Sequence, residues 1–111
     1  MSNEEILLVL TNLPDQDSAQ RLAQALIGER AAACVNVLAA CTSVYRWQGK
    51  VESATEIPLL IKTSRAAYAR LQELIRAHHP YELPEIIAIP VSAGLPAYLA
   101  WVTSETQPER E

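Results

Sequence analysis

Both histidines of this 111-residue chain fall in one short stretch, His78-His79-Pro80-Tyr81-Glu82-Leu83-Pro84-Glu85, which also holds a phenol and two carboxylates. Imidazole is a good ligand for Cu(II), Ni(II) and Zn(II), with copper bound most tightly in the general divalent order, so the pair His78 and His79 reads as a candidate metal site. Two prolines restrict the backbone and leave the loop few conformations. A packing or capping role competes with the metal reading. His78 follows Ile75 by three residues and Leu71 by seven, on the stripe expected to be buried, whereas His79 falls about 100° further round a helix. Pro80 pushes His79 toward an extended backbone, which could bring its ring back toward the first. Two imidazoles alone do not complete a structural zinc site, so any site here is expected to be weak.

Other chemistries find little support. The only glycines are Gly28, Gly49 and Gly94, so neither a phosphate-binding glycine loop nor a nucleophile elbow can be written. Asp15 and Asp17 fit the first turn of a helix better than a catalytic pair. Cys34 and Cys41 lie seven residues apart in one extended segment, a span of roughly 23 Å that a disulfide cannot bridge. They are expected to be reduced and partly buried. Tyr98 and Trp101, three apart on a helix, suit a core or an interface. With no nucleophile in an activating arrangement and no organic cofactor motif, the expectation is a binding protein and not an enzyme.

These residues have to be positioned by a small number of elements. Residues 6–11 form an apolar, branched run suited to a covered strand. A helix from Asp15 to about Gly28 buries Ala19, Leu22, Ala23, Leu26 and Ile27 along one face, with Asp15 or Asp17 as cap. An interrupted strand over 33–47, a tight turn at Gln48-Gly49 and a third strand over 50–63 come next. Ser64 is expected to cap a second helix facing the core with Ala67, Leu71, Leu74 and Ile75, which Pro80 ends. A fourth strand over 85–91 and a short helix over 95–103 with Pro96 in its first turn complete the set. Arg21-Leu22-Ala23-Gln24-Ala25-Leu26-Ile27 echoes Arg70-Leu71-Gln72-Glu73-Leu74-Ile75, so two strand-helix-strand units joined by a hairpin are expected. This is the α+β, ferredoxin-like βαββαβ sandwich, preferred over a flavodoxin-like sheet because of the direct hairpin between the middle strands.

Half of the residues are apolar and a fifth are charged, which suits one packed domain over residues 1–111, ordered over about 5–103, with a polar ending at 104–111 expected to fray. The formal charge of −4 and the absence of a Lys/Arg stripe argue against nucleic acid as a partner. Glu4 and Glu5 stand where a secretory leader would be positive, and residues 6–10 are too few for a membrane span, so a cytoplasmic protein with no membrane partner is expected. Hairpin arms of about fourteen residues would extend roughly 45 Å, against a radius of gyration near 13 Å for a domain of this size. The tip should overhang, carrying Tyr45 and Trp47, and its open backbone edges should be closed by a neighbouring subunit. A ribbon folded back on its own domain is the alternative. Pro58, lacking a donor, should mark a bulge or an edge.

The blocks Arg30-Ala31-Ala32-Ala33-Cys34-Val35-Asn36, Tyr45-Arg46-Trp47-Gln48-Gly49-Lys50, Ile61-Lys62-Thr63, His79-Pro80-Tyr81-Glu82-Leu83-Pro84-Glu85 and Tyr98-Leu99-Ala100-Trp101 together resemble the CutA divalent-cation tolerance family. The resemblance spans roughly residues 5–101. It implies a ferredoxin-like subunit, a heat-resistant homotrimer built through long hairpins, a link to tolerance of divalent cations and especially copper, and an architecture similar to PII signalling proteins. In some members a cysteine at the position of Thr11 joins the tandem histidines as a copper site. Thr11 replaces that thiol here, which leaves a weak imidazole site for Cu(II) or another divalent metal at His78 and His79. Two alternatives stand beside the metal reading. One is a PII-like module holding a small metabolite in an intersubunit cleft lined by Lys62, Tyr81, Glu85 and Trp101; the other is an assembly scaffold.

Overall fold

A computed structural model of the chain describes residues 4–108. Strand β1 (Ile6–Leu13) alternates between its faces, with Leu7, Val9, Thr11 and Leu13 buried and the residues between them only partly so. Helix α1 (Gln16–Gly28) is capped by Asp15, whose carboxylate accepts from the Ser18 N–H at 2.8 Å. That backbone hydrogen bond to the ionised form holds the Asp15 carboxyl below its ordinary pKa. Strands β2 (Cys34–Val37), β3 (Cys41–Trp47) and β4 (Lys50–Ser64) follow. A 3₁₀ turn over Arg65–Ala67 leads into α2 (Tyr68–His78), and β5 (Ile87–Pro90) and α3 (Pro96–Glu105) end the order.

The main sheet is antiparallel in the order β2-β4-β1-β5, and α1 and α2 cover one face of it. Ala19, Leu22 and Leu26 of α1 and Leu71 and Ile75 of α2 pack on Leu7, Val9, Leu13, Ile57, Leu59 and Ile61 in one core. This is the expected ferredoxin-like plan. The first helix turns its apolar stripe inward as the spacing predicts, except that Ile27 is left exposed.

The interrupted second strand is β2 and β3, both paired to the fifteen-residue β4. Val37 lies opposite Leu59 and Cys41 opposite Glu56, so the register slips by one residue between them. Pro58 sits at the slip. Its carbonyl accepts from the Leu38 N–H at 3.0 Å, on the side where its own nitrogen has no proton to give. The bulge is thus on the strand facing Pro58, where a missing donor does least harm. Beyond it β3 pairs only with β4 and ends in a two-residue turn, Gln48-Gly49, with φ values of 52° and 82°. Positive φ at both positions is the type I′ geometry that matches the twist of a hairpin.

Helix α1 ends at Gly28 as expected, and the left-handed residue beyond it is Arg30, at φ 57°. The Ala31 N–H reaches back to Leu26 O at 3.0 Å and the Arg30 N–H to Ile27 O at 3.1 Å, the paired bonds of a Schellman ending. Ser64 does not cap the second helix, because its hydroxyl is spent on Thr106 Oγ1 at 2.8 Å; the first turn is instead met by Glu4, whose carboxylate accepts from the Ala66 N–H. The ending expected to fray is docked at least as far as Gln107: Thr106 is buried, and Arg30 donates to Ser104 O and Gln107 O at 2.9 and 2.6 Å. Residues 109–111 of that stretch lie outside the described residues. Cys34 is half-buried and Cys41, expected to be partly buried, is exposed; both are free thiols. Among the described residues no helix is long and apolar enough to cross a membrane.

Arg30 therefore joins two ends. Its carbonyl accepts from Arg70 of α2 at 2.7 Å, while its guanidinium meets the last carbonyls of α3, where a cation is favoured by the helix dipole. Arg30→Ala should lower the unfolding free energy by about 2 kcal/mol, since it removes two charge-assisted bonds and keeps the strained φ. Arg30→Gly should be the milder change by about 1 kcal/mol, because glycine accepts the left-handed conformation. Urea denaturation of both variants at equal concentration checks the order; a neutral Arg30→Ala would contradict the docking role.

Candidate functional site

Helix α2 stops at His78, and His79 leaves it in an extended conformation with φ −86° and ψ 133°. Pro80 imposes that change on its predecessor. The consequence reverses the expected faces: His78 is exposed and His79 is buried. Helical spacing places His78 on the stripe, but the ring that finds a partner belongs to the residue outside the helix.

His79 Nε2 lies 2.7 Å from Asn12 O, and its Nδ1 lies 3.1 Å from the Tyr81 N–H. A carbonyl can only accept and an N–H can only donate, so the ring carries its proton on Nε2 and offers the Nδ1 lone pair to Tyr81. Both nitrogens are occupied. The ring also packs against Tyr81, with centroids 4.8 Å apart and planes at 54°. In this conformation His79 could ligate a metal only by releasing one of its partners.

The loop that follows is fastened to the base of the ribbon. The Tyr81 hydroxyl donates to Glu56 Oε2 at 3.0 Å, and Asn12 Nδ2 donates to Glu85 Oε1 at 2.9 Å. Burial, followed by the hydrogen bond and charge of Glu56, pushes the Tyr81 phenol up to about 12. These side chains and the exposed Tyr45 and Trp47 of β3 surround a groove of 960 Å³ between the loop and the ribbon. The sequence did not single out Glu56 or Asn12. Their signal was nonetheless present: each is a polar side chain beside an apolar strand run, Asn12 before Leu13 and Glu56 before Ile57.

Lys62 and Trp101 are elsewhere. Lys62 pairs across strands with Leu8 and Cys34, and its ammonium hydrogen-bonds the Asn36 side-chain oxygen and approaches Cys34 Sγ at 3.9 Å. Trp101 stacks beside Tyr98 at 5.6 Å, and the Tyr98 phenol is raised by burial and by the neighbouring Cys34 thiol. Within one chain the four proposed cleft residues thus form two groups, Tyr81 with Glu85 and Lys62 with Trp101. Six residues of β4, roughly 20 Å, separate Lys62 from Glu56.

The profile of the family described as CutA1 divalent ion tolerance protein matches residues 7–105. This chain belongs to the CutA family. A divalent-cation tolerance protein CutA of Thermus thermophilus is 44% identical over 93% of this chain and 98% of its own length. A chloroplastic protein CutA of Arabidopsis thaliana is 38% identical over 91% of this chain, which spans only 56% of that longer protein. The crystal structure of CutA from Xylella fastidiosa superposes with a TM-score of 0.89 at 45% identity, covering 92% of this chain and 98% of that one. Similarity of that depth carries the ferredoxin-like CutA fold with it.

Membership raises the question of a metal, and the donor set can be tested against it. Among the described residues no group of three His, Cys, Asp or Glu side chains could hold an ion. Thr11, where a thiol would complete a copper set, is 1% exposed, and its hydroxyl has no partner among the described residues. A hydroxyl is a poor copper ligand, and His79 is engaged on both sides, so the side chains as arranged do not form a Cys-His-His set. His78 alone keeps an imidazole open to solvent.

Tyr81 provides a titration of the loop. The unfolded phenol ionises near pH 10, whereas the folded one holds its proton to about 12, so the stability it contributes is intact below pH 10 and is lost as pH rises through 12. Unfolding free energies measured across that window should fall, and Tyr81→Phe should flatten this part of the profile. An unchanged slope in Tyr81→Phe would assign the alkaline loss to other groups.

Proposed function

We propose that the chain is a trimeric, non-enzymatic divalent-cation tolerance protein of the cytoplasm that takes up Cu(II) weakly through His78. The observation that carries the assembled form is an uncovered apolar sheet face. On the side away from α1 and α2, Leu8 and Leu10 of β1 line up with Ile89 and Ile87 of β5, and the two isoleucines are about half exposed, at 49% and 50%. The outer part of β4 adds a second demand, because it pairs only with β3 and leaves a ribbon about 23 Å long with open edges. A neighbouring copy would satisfy both.

Copper enters through the family and through chemistry. An exposed neutral imidazole binds Cu(II) better than other first-row divalent ions, and a single ligand binds it weakly. His79 supports the loop instead of chelating. A titration separates these roles: His78→Ala should abolish Cu(II) binding by calorimetry, whereas His79→Ala should retain it and lose about 2 kcal/mol of stability by orphaning Asn12 O and the Tyr81 N–H. Equal loss of binding in the two variants would restore the tandem site. Light scattering should report a particle of three 12.2 kDa chains, and a monomer would remove the trimer.

The groove favours a second reading, a PII-like module binding a small metabolite. Its volume lies in the range of ordinary ligand sites, and three aromatic side chains line it.

A further inference from the structure

The sheet face away from the two core helices is apolar at its middle and charged at its two ends. Alternation along β4 puts Glu56, Pro58, Leu60 and Lys62 on one side and the core residues Ile57, Leu59 and Ile61 on the other. Leu60 pairs with Leu10 of β1, which in turn pairs with Ile87 of β5, and these form the apolar middle. Lys62 stands at one end, between Leu8 and Cys34. At the other end stand Glu56 and, bonded to Asn12 opposite Pro58, Glu85.

Neither end is neutralised by its own chain. Among the described residues the ion pairs are Arg21–Asp17, Arg30–Glu105, Arg65–Glu5 and Arg76–Glu73, and neither Lys62 nor Glu56 is in one. Glu56 is only 8% exposed, and among the described residues its side chain accepts only from the neutral Tyr81 phenol. The half-buried Lys62 ammonium gives one proton to Asn36 Oδ1 and directs another toward Cys34 Sγ at 3.9 Å, which leaves a third to donate. Arg46 and Lys50 differ, because they lie exposed on the ribbon, where water serves them. A subunit packed over the face strips water from Lys62 and from Glu56, and a covered charge is costly unless an opposite one meets it. The two cannot meet within a chain, since six residues of β4 hold them roughly 20 Å apart.

We propose that Lys62 of one copy pairs with Glu56 of the next, so that each subunit contact carries one ion pair beside the cleft that holds Tyr81 and Glu85. The inference rests on the trimeric reading and gives it a register: the Lys62 end of one face lies against the Glu56 end of its neighbour. Such a contact is head-to-tail, the kind that closes into a ring, and in a ring of three every lysine and every glutamate is used once. Tyr81 holds the carboxylate by Oε2, which leaves Oε1 to accept the incoming ammonium. The cleft residues that one chain keeps apart, Lys62 in one group and Tyr81 with Glu85 in the other, then meet at the same contact.

Sedimentation velocity of the full chain, over a dilution series in urea, which leaves ion pairs unscreened, tests the pairing through a double-variant cycle. Glu56→Gln keeps an acceptor for Tyr81 and strands Lys62, whereas Lys62→Gln keeps a donor for Asn36 and strands Glu56. Each should raise the trimer dissociation constant at a given urea concentration by about a hundredfold or more, since three contacts are spoiled at once. The double variant should dissociate no more readily than the weaker of the two, because it leaves no charge stranded. Lys62→Arg, which keeps the charge, should assemble within about tenfold of the unsubstituted chain. Additive losses in the double variant, or unimpaired assembly of both single variants, would overturn the pairing and leave the trimer standing. An unsubstituted chain that sediments as a 12.2 kDa monomer at micromolar concentration without urea would overturn the trimer itself, and the pairing with it. If circular dichroism shows that Glu56→Gln does not fold, Lys62→Gln against Lys62→Arg decides: loss in the first with retention in the second is the expected result, and equal behaviour of the two overturns it. Copper uptake at His78 is read separately and is untouched by any of these results.

Discussion

Strand β4 has to serve two environments without a break. Over residues 57–64 it is a central strand, flanked by β1 on one side and β2 on the other, and Ile57, Leu59 and Ile61 send their side chains into the core. Over residues 50–56 it has β3 alone. The change of neighbours falls at Glu56 to Pro58, and the chain handles it with one residue of slippage opposite a proline that lacks a donor. That junction is also where the first carboxylate outside the core appears. The groove exists because a core strand leaves its sheet there and the loop after α2 closes over the exit.

The same loop explains what the second histidine does. A helix ending in His-His-Pro must turn its last residue out of the helix, and the ring that turns out meets the end of β1. The bonds from His79 to Asn12 and Tyr81, from Tyr81 to Glu56 and from Asn12 to Glu85 then form one connected set reaching from the helix to the ribbon. Partners in such a set hold one another in place, so a loss at any point costs more than the single bond. Its rigidity is what gives the groove a defined shape. A histidine placed this way is a tether, and a family resemblance to a metal ligand does not free its nitrogens.

Much of this was legible in the residues. Period-two and period-3.6 patterns named every strand and helix, Gln48-Gly49 marked the turn, and Pro58 marked the slip, because each depends on local chemistry that a sequence displays directly. What the residues did not display has a different cause. Arg30 occupies a left-handed position that composition would give to glycine, and it is held there by Arg70 and by the end of α3, forty or more residues away. Ser64 was claimed by Thr106 before it could cap a helix. His78 and His79 exchanged faces because stripe counting assumes that the helix continues. The ending at Ser104 to Gln107 looked polar and free, yet its backbone carbonyls were what Arg30 required. Except at the histidines, where the adjacent Pro80 ends the helix, a distant partner outbid a local preference, and a single sequence does not show distant partners.

The division of the cleft residues has a consequence for any site that uses all of them. Lys62 sits beside Cys34 near Tyr98 and Trp101, while Tyr81 and Glu85 sit by Glu56 at the ribbon base, and β4 between the two groups is a paired strand that cannot shorten. A ligand touching both groups within one chain would have to span roughly 20 Å along the sheet. A small ligand can meet them together only where two copies bring opposite ends of their sheets into contact. Binding there would be linked to assembly, each favouring the other by mass action.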